Sequence, residues 1–179
     1  YGDGHAAVFD VLAGALQDVA GNKILNATGV SALTIVELQD IIPPKILRAT
    51  LNFSDGTLVV EGDESILSEP PSAVVSSLLA IVNTSDGSAN NGAIVLTGAN
   101  VVPVSAQSIT LTIPEPARAR GIAMSAAQPP AGDGGSSFLQ FGSGSVQDVF
   151  AVSINQTIVP LVELVDIVPP HLTYVDFDF

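Results

Sequence analysis

Four tripeptides of the form Asn-x-Ser/Thr begin at Asn26, Asn52, Asn83 and Asn155. The chain holds 8 Asn and 27 Ser plus Thr, a composition that yields about 1.2 such tripeptides by chance. The excess points to N-glycosylation, which requires an Asn side chain exposed on a turn or strand end. The competing reading is that Asn and Thr stand in these turns for backbone reasons. Occupied sequons would place the chain outside a cell and coat its surface with sugar.

Carboxylates form the second set. Asp3 and Asp18 return as Asp133 and Asp148, and Asp40 and Asp166 each stand shortly before a Pro pair. Hard cations take clustered carboxylate and carbonyl oxygens, so Asp18, Asp40, Asp148 and Asp166 are the candidates for calcium. No EF-hand spacing is present, and Asp in a Gly-rich turn commonly caps its own backbone.

The inventory for catalysis is thin. His5 and His171 are the two histidines, and no Cys is available as nucleophile or ligand. No nucleophile elbow, phosphate loop or His-Glu-x-x-His motif occurs. Gly142-Ser143-Gly144-Ser145 lacks the Lys that follows in a phosphate loop. The acids show no general acid/base pairing. No catalytic residue is assigned, and the chain is expected not to be an enzyme. Arg118 and Arg120 are expected to meet acidic neighbours. The net charge of −13 with five basic residues repels phosphate backbones and anionic lipid, which argues against nucleic-acid and membrane partners. No apolar run reaches the roughly 18–20 residues that span a bilayer. With 47% hydrophobic and 13% charged residues, the chain can build a packed core.

The elements that would position these residues recur. Ile41-Ile42-Pro43-Pro44 returns as Ile167-Val168-Pro169-Pro170, offset by 126. Gly2-Asp3-Gly4 returns as Gly132-Asp133-Gly134, and Gln17-Asp18-Val19 as Gln147-Asp148-Val149, both offset by 130. Asn26-Ala27-Thr28 aligns with Asn155-Gln156-Thr157 at 129, and Leu51-Asn52-Phe53 with Phe177-Asp178-Phe179 at 126. Matches in one order and nearly one register imply a repeat, with a four-residue deletion after Asp148. Residues 1–42 are expected to end one unit, 43–168 to form a complete one, and 169–179 to open a third. The chain is expected to begin and end inside domains. Pro43-Pro44 and Pro169-Pro170 would act as stiff interdomain linkers.

Within one unit, 46–53, 57–60, 78–82, 93–97, 108–113, 138–141 and 158–165 read as strands. Residues 108–113 alternate with period two, the mark of a half-buried strand. Residues 114–120 could hold a short helical turn with prolines at its start. Short strands separated by turn clusters predict an all-β fold built as an antiparallel β-sandwich, with the excess length in loops 61–76 and 114–136.

Gly14-Ala15-Leu16-Gln17-Asp18-Val19-Ala20-Gly21-Asn22-Lys23-Ile24 resembles the closing strand and turn of the bacterial-type Ig-like repeats of S-layer proteins. Pro43-Pro44 and the strand after it resemble that family's opening. Ser136 to Asp148 is similar to the same ending in large repeat proteins of protists and algae. The second copy departs from the pattern: after Asp148-Val149 it has Phe150-Ala151-Val152 where Ala-Gly-Asn is expected. The resemblance implies tandem Ig-like sandwiches on a cell surface, in an S-layer or in a fibre such as a flagellar hair, with no catalytic residues. No cofactor is expected beyond N-linked glycans and the calcium candidates above. The function expected is that of an extracellular structural chain self-associating in a filament or coat. The alternative is the spacer of an adhesin that presents a domain to a carbohydrate or cell-surface partner.

Overall fold

In the computed structural model, residues 7–36, 38–87, 92–103, 106–126, 132 and 134–169 are described. The chain forms two compact units, Tyr1–Ile41 and Ile42–Phe179. The fold is all-β. Among the described residues no helix is long and apolar enough to cross a membrane.

The first unit is a ribbon. Strands β1 (Val8–Phe9) and β2 (Leu33–Thr34) pair antiparallel. Bridges at Val11–Ala27 and Gln17–Lys23 continue the ladder toward the tip, and a 3-10 turn over Gly29–Ser31 interrupts the return limb.

Among its described residues the second unit carries eight strands: β3 (Ile46–Asn52), β4 (Thr57–Ile66), β5 (Leu79–Val82), β6 (Ile94–Val95), β7 (Asn100–Val102), β8 (Ala106–Thr112), β9 (Phe138–Phe141) and β10 (Thr157–Leu164), with helix α1 (Glu115–Met124) between β8 and β9. The order in the sheet is β6-β5-β9-β10-β3-β4-β8-β7. Alternate residues point one way, as a pleat requires. Ala49 and Leu51, Leu58 and Val60, Ile109 and Leu111, and Leu139 and Phe141 are all buried in one core. Every residue of β5 is buried, as a continuous apolar run in a sheet interior demands.

Three expectations need correction. The pairing is not wholly antiparallel: β10 lies parallel to β3, with Leu161 opposite Ala49 and Leu164 opposite Asn52. These are the first and last strands of the unit, so the rest of the unit serves as the long connection that a parallel pair needs. Residues 61–66 belong to β4 and not to a loop, since Glu61, Asp63 and Glu64 occupy positions that are exposed or half-buried. The helical turn near 114 is a ten-residue helix. Pro114 is its N-cap, Pro116 falls in its first turn, and Ala117, Gly121 and Met124 turn one face inward. A Cβ at Gly121 would stand 3.0 Å from the Phe53 ring, so the glycine sets how closely α1 rides on the core.

Pro44 is buried within the second unit, just ahead of β3. Pro169 is exposed, and Pro170 lies outside the described residues, as do 171–179.

Candidate functional site

The second unit closes on the hairpin β9–β10, and Asp148 builds its tip. Asp148 Oδ1 accepts hydrogen bonds from the backbone N–H of Phe150 at 2.7 Å and of Val152 at 2.9 Å. The Asp148 N–H donates to the Val152 carbonyl, and the Ala151 N–H to the Asp148 carbonyl, both at 3.1 Å. Below the tip, Gly144 donates to the Ile154 carbonyl and Ile154 to the Val146 carbonyl, both at 3.0 Å.

The first unit repeats this network 130 residues earlier. Asp18 Oδ1 accepts from Ala20 and Asn22, both at 2.9 Å. Asp18 donates to the Asn22 carbonyl and Gly21 to the Asp18 carbonyl, both at 3.0 Å. Gly14 donates to Ile24 at 3.0 Å and Ile24 to Leu16 at 2.9 Å. Gly14 and Gly144 adopt φ of 79° and 78°, in the left-handed region that side chains avoid.

Strand pairing then locates the change of offset. Phe141 faces Thr157 as Val11 faces Ala27, both at offset 130. Leu139 faces Val159 and Phe9 faces Leu33, so on the return limb the offset is 126. The N–H of Leu161 reaches the Ser137 carbonyl, and that of Ile35 the Ala7 carbonyl, each at 3.0 Å. The four extra residues of the first copy therefore lie between Ala27 and Leu33, where the 3-10 turn over Gly29–Ser31 takes them up. The shift falls after Thr157 in the second copy, later than the sequence matches near Asp148 alone imply. An even number of residues leaves each side chain on its original face of the pleat.

The copies differ in what covers them. Phe9 is 57% exposed where Leu139 is fully buried, Leu16 63% where Val146 is fully buried, and Ile35 43% where Leu161 is 7%. In the second unit β5 pairs with β9 and β3 with β10. Among the described residues no other strand of the first unit flanks β1 or β2. No family model, curated protein or solved structure matches the chain.

The two tips also differ at one acceptor. Asp18 Oδ2 accepts from Asn22 Nδ2 at 2.8 Å, and this bond is the largest cause holding the Asp18 carboxyl below its ordinary range. Val152 stands where Asn22 stands in the first copy, so the amide donor is gone. Asp148 Oδ2 is buried and accepts no hydrogen bond among the described residues, although Asp148 is fully buried. A carboxylate oxygen of Glu64 lies within 4.8 Å of one of Asp148. The end of β4 brings them together, since Ile66 bridges to Asp148 and Leu67 donates to the Gln147 carbonyl at 2.8 Å. Sequence reading missed Glu64 because nothing local marks it: it sits in a segment expected to be a loop.

Asp166 is held otherwise. Arg118 Nη1 donates to Asp166 Oδ2 at 3.0 Å and also to the Phe53 carbonyl. Its Nε and Nη2 clamp Glu115 at 2.6 and 2.9 Å. The guanidinium ties α1 to the ends of β3 and β10, and both carboxylates beside it raise its pKa further, Glu115 most. Arg118 thus meets acids as expected. Asp166 Oδ1 accepts from Val168 at 3.0 Å, so both of its oxygens are engaged. Asp40 is half-buried near the end of the first unit.

Among the sequons, Asn26 and Asn155 are exposed, and Asn52 and Asn83 half-buried. The register places Gln156, not Asn155, opposite Asn26 in the repeat, so the two sequons sit one residue apart. Asn52 Oδ1 accepts from Ser54 at 2.9 Å, and Asn83 Oδ1 is buried. Asn155 lines an open cleft of about 430 Å3 with Pro43, Pro44 and Ile46. His5, His171, Asp3 and Asp133 lie outside the described residues.

Proposed function

We propose that this chain is a stretch of an extracellular structural protein, built from tandem Ig-like β-sandwich units and carrying N-linked glycans, and that it is not an enzyme. One observation carries the reading: the hairpin tipped by Asp18 and the hairpin tipped by Asp148 share their hydrogen bonds, their glycine conformation and their pairing register. A hairpin used twice in one chain supports an array in which each unit stacks on its neighbour.

Exposed apolar residues support the same reading. Phe9, Leu16 and Ile35 stand where the second unit buries Leu139, Val146 and Leu161. Covering such a side chain contributes about 1.5–3 kcal/mol. The first-unit hairpin is thus complementary to strands equivalent to β3 and β5, and in an array every hairpin would meet them. The exposed Asn26 and Asn155 suit a sugar-coated surface, and the −13 charge suits a chain that stays soluble until such faces meet.

A concatemer of two, four and six copies of residues 43–168 tests the reading by small-angle scattering and negative-stain microscopy. Rods that lengthen by a constant step per copy are expected. Compact particles with no axial repeat would contradict it.

A further inference from the structure

We propose that Glu64 and Asp148 bind a calcium ion in the second unit, and that the first-unit hairpin carries no such site. The two hairpin tips provide an internal comparison. Each tip spends one carboxylate oxygen on two backbone N–H groups of its own turn. In the first copy the other oxygen is satisfied by the amide of Asn22 at 2.8 Å. In the second copy Val152 removes that donor, and the oxygen is buried with nothing among the described residues donating to it.

A buried carboxylate oxygen without a donor carries a desolvation cost that something must offset. The neighbour is a second acid: a Glu64 oxygen lies within 4.8 Å of an Asp148 oxygen. Two carboxylates at that spacing can share one cation, and the cation would satisfy the buried Asp148 oxygen. Calcium holds oxygen at about 2.3–2.6 Å, and two ligands of one ion can span up to about twice that distance. It also accepts irregular sets of six to eight oxygens, with backbone carbonyls and water completing the shell. Magnesium demands a smaller and stricter octahedron. The ion would join the far end of β4 to the closing hairpin, and so fasten the last element of the unit to its longest strand.

The exchange that removed the donor also supplies the test. Val152→Asn restores the residue that the first copy already uses, and so should fold. Glu64→Gln removes the second charge with little change of shape. The full chain, stripped with EDTA, is titrated with calcium chloride to about 10 mM by calorimetry, and its thermal melt is followed by circular dichroism. Saturating calcium is expected to raise the melting temperature of the parent by about 5 °C. Calcium binding is expected to be at least tenfold weaker in each variant, with the β-sheet spectrum retained. Absence of heat and of any melting shift in the parent would overturn the proposal. Undiminished binding in either folded variant would overturn it as well.

Discussion

Gly21 and Ala151 hold the same left-handed position in the two hairpin tips, at φ 85° and 66°. In the first copy glycine meets the requirement without cost. In the second an alanine is forced into it by the same hydrogen bonds from its own N–H to the Asp carbonyl and from the next N–H to the Asp side chain. An L-residue in that region costs roughly 1–2 kcal/mol, and the freedom glycine adds to the unfolded chain takes part of this back. Ala151→Gly is therefore expected to stabilise the second unit by about 0.5–1 kcal/mol, read as a rise in urea midpoint at unchanged slope. A fall in the midpoint would mean that the tip is not held in this conformation.

Arg118 is the polar anchor of α1. Truncation to Ala takes the guanidinium donor from Asp166 Oδ2 and from the Phe53 carbonyl, and is expected to cost roughly 2 kcal/mol. Glu115 adds little to that figure because its side chain is 69% exposed. Lys would keep the charge but not the fork, so Arg118→Lys should recover only part of the loss in chemical denaturation.

The same cluster sets an acid limb. Glu115 is held below its ordinary value chiefly by the Arg118 side chain, and Asp166 first by the Val168 N–H and then by Arg118. Carboxyls lowered on folding lend stability that is present above their unfolded value near 4 and is lost as pH falls through the lower folded values. Stability should decline below about pH 5, and Arg118→Ala should flatten that decline. An equal slope in parent and variant would show that other groups set it.

Sequon occupancy follows exposure. In a secreting eukaryotic host, intact mass should fall on glycosidase treatment. Asn26→Gln and Asn155→Gln should each remove one glycan. Asn83→Gln should leave the mass of the glycosylated chain essentially unchanged, because the Asn83 oxygen is buried.

The alternation in 108–113 and the strands read at 46–53 and 57–60 made β8 and the β3–β4 hairpin legible from sequence, because local pattern governs both. The likeness of the two hairpin tips was legible through Gln17-Asp18-Val19 and its return at Gln147-Asp148-Val149. The four-residue shift was misplaced, since only strand pairing shows that Leu33 faces Phe9 while Val159 faces Leu139. The parallel β3–β10 pair and the approach of Glu64 to Asp148 are long-range contacts with no local signature. The helix was read short because Pro114 and Pro116 mark its start, while Ala117, Gly121 and Met124 give only a weak apolar face.

A graft tests the equivalence of the two hairpins most directly. Residues Ala13–Ile24 replace Ser143–Ile154 in the full chain, twelve for twelve, with Leu16 taking the buried place of Val146. Equivalent hairpins should give a graft that melts cooperatively, within about 1–3 kcal/mol of the parent, and that keeps the β-sheet spectrum. A scrambled twelve-residue insert is the control and should unfold the unit. A graft as unfolded as that control would contradict the claim that the chain repeats one fold.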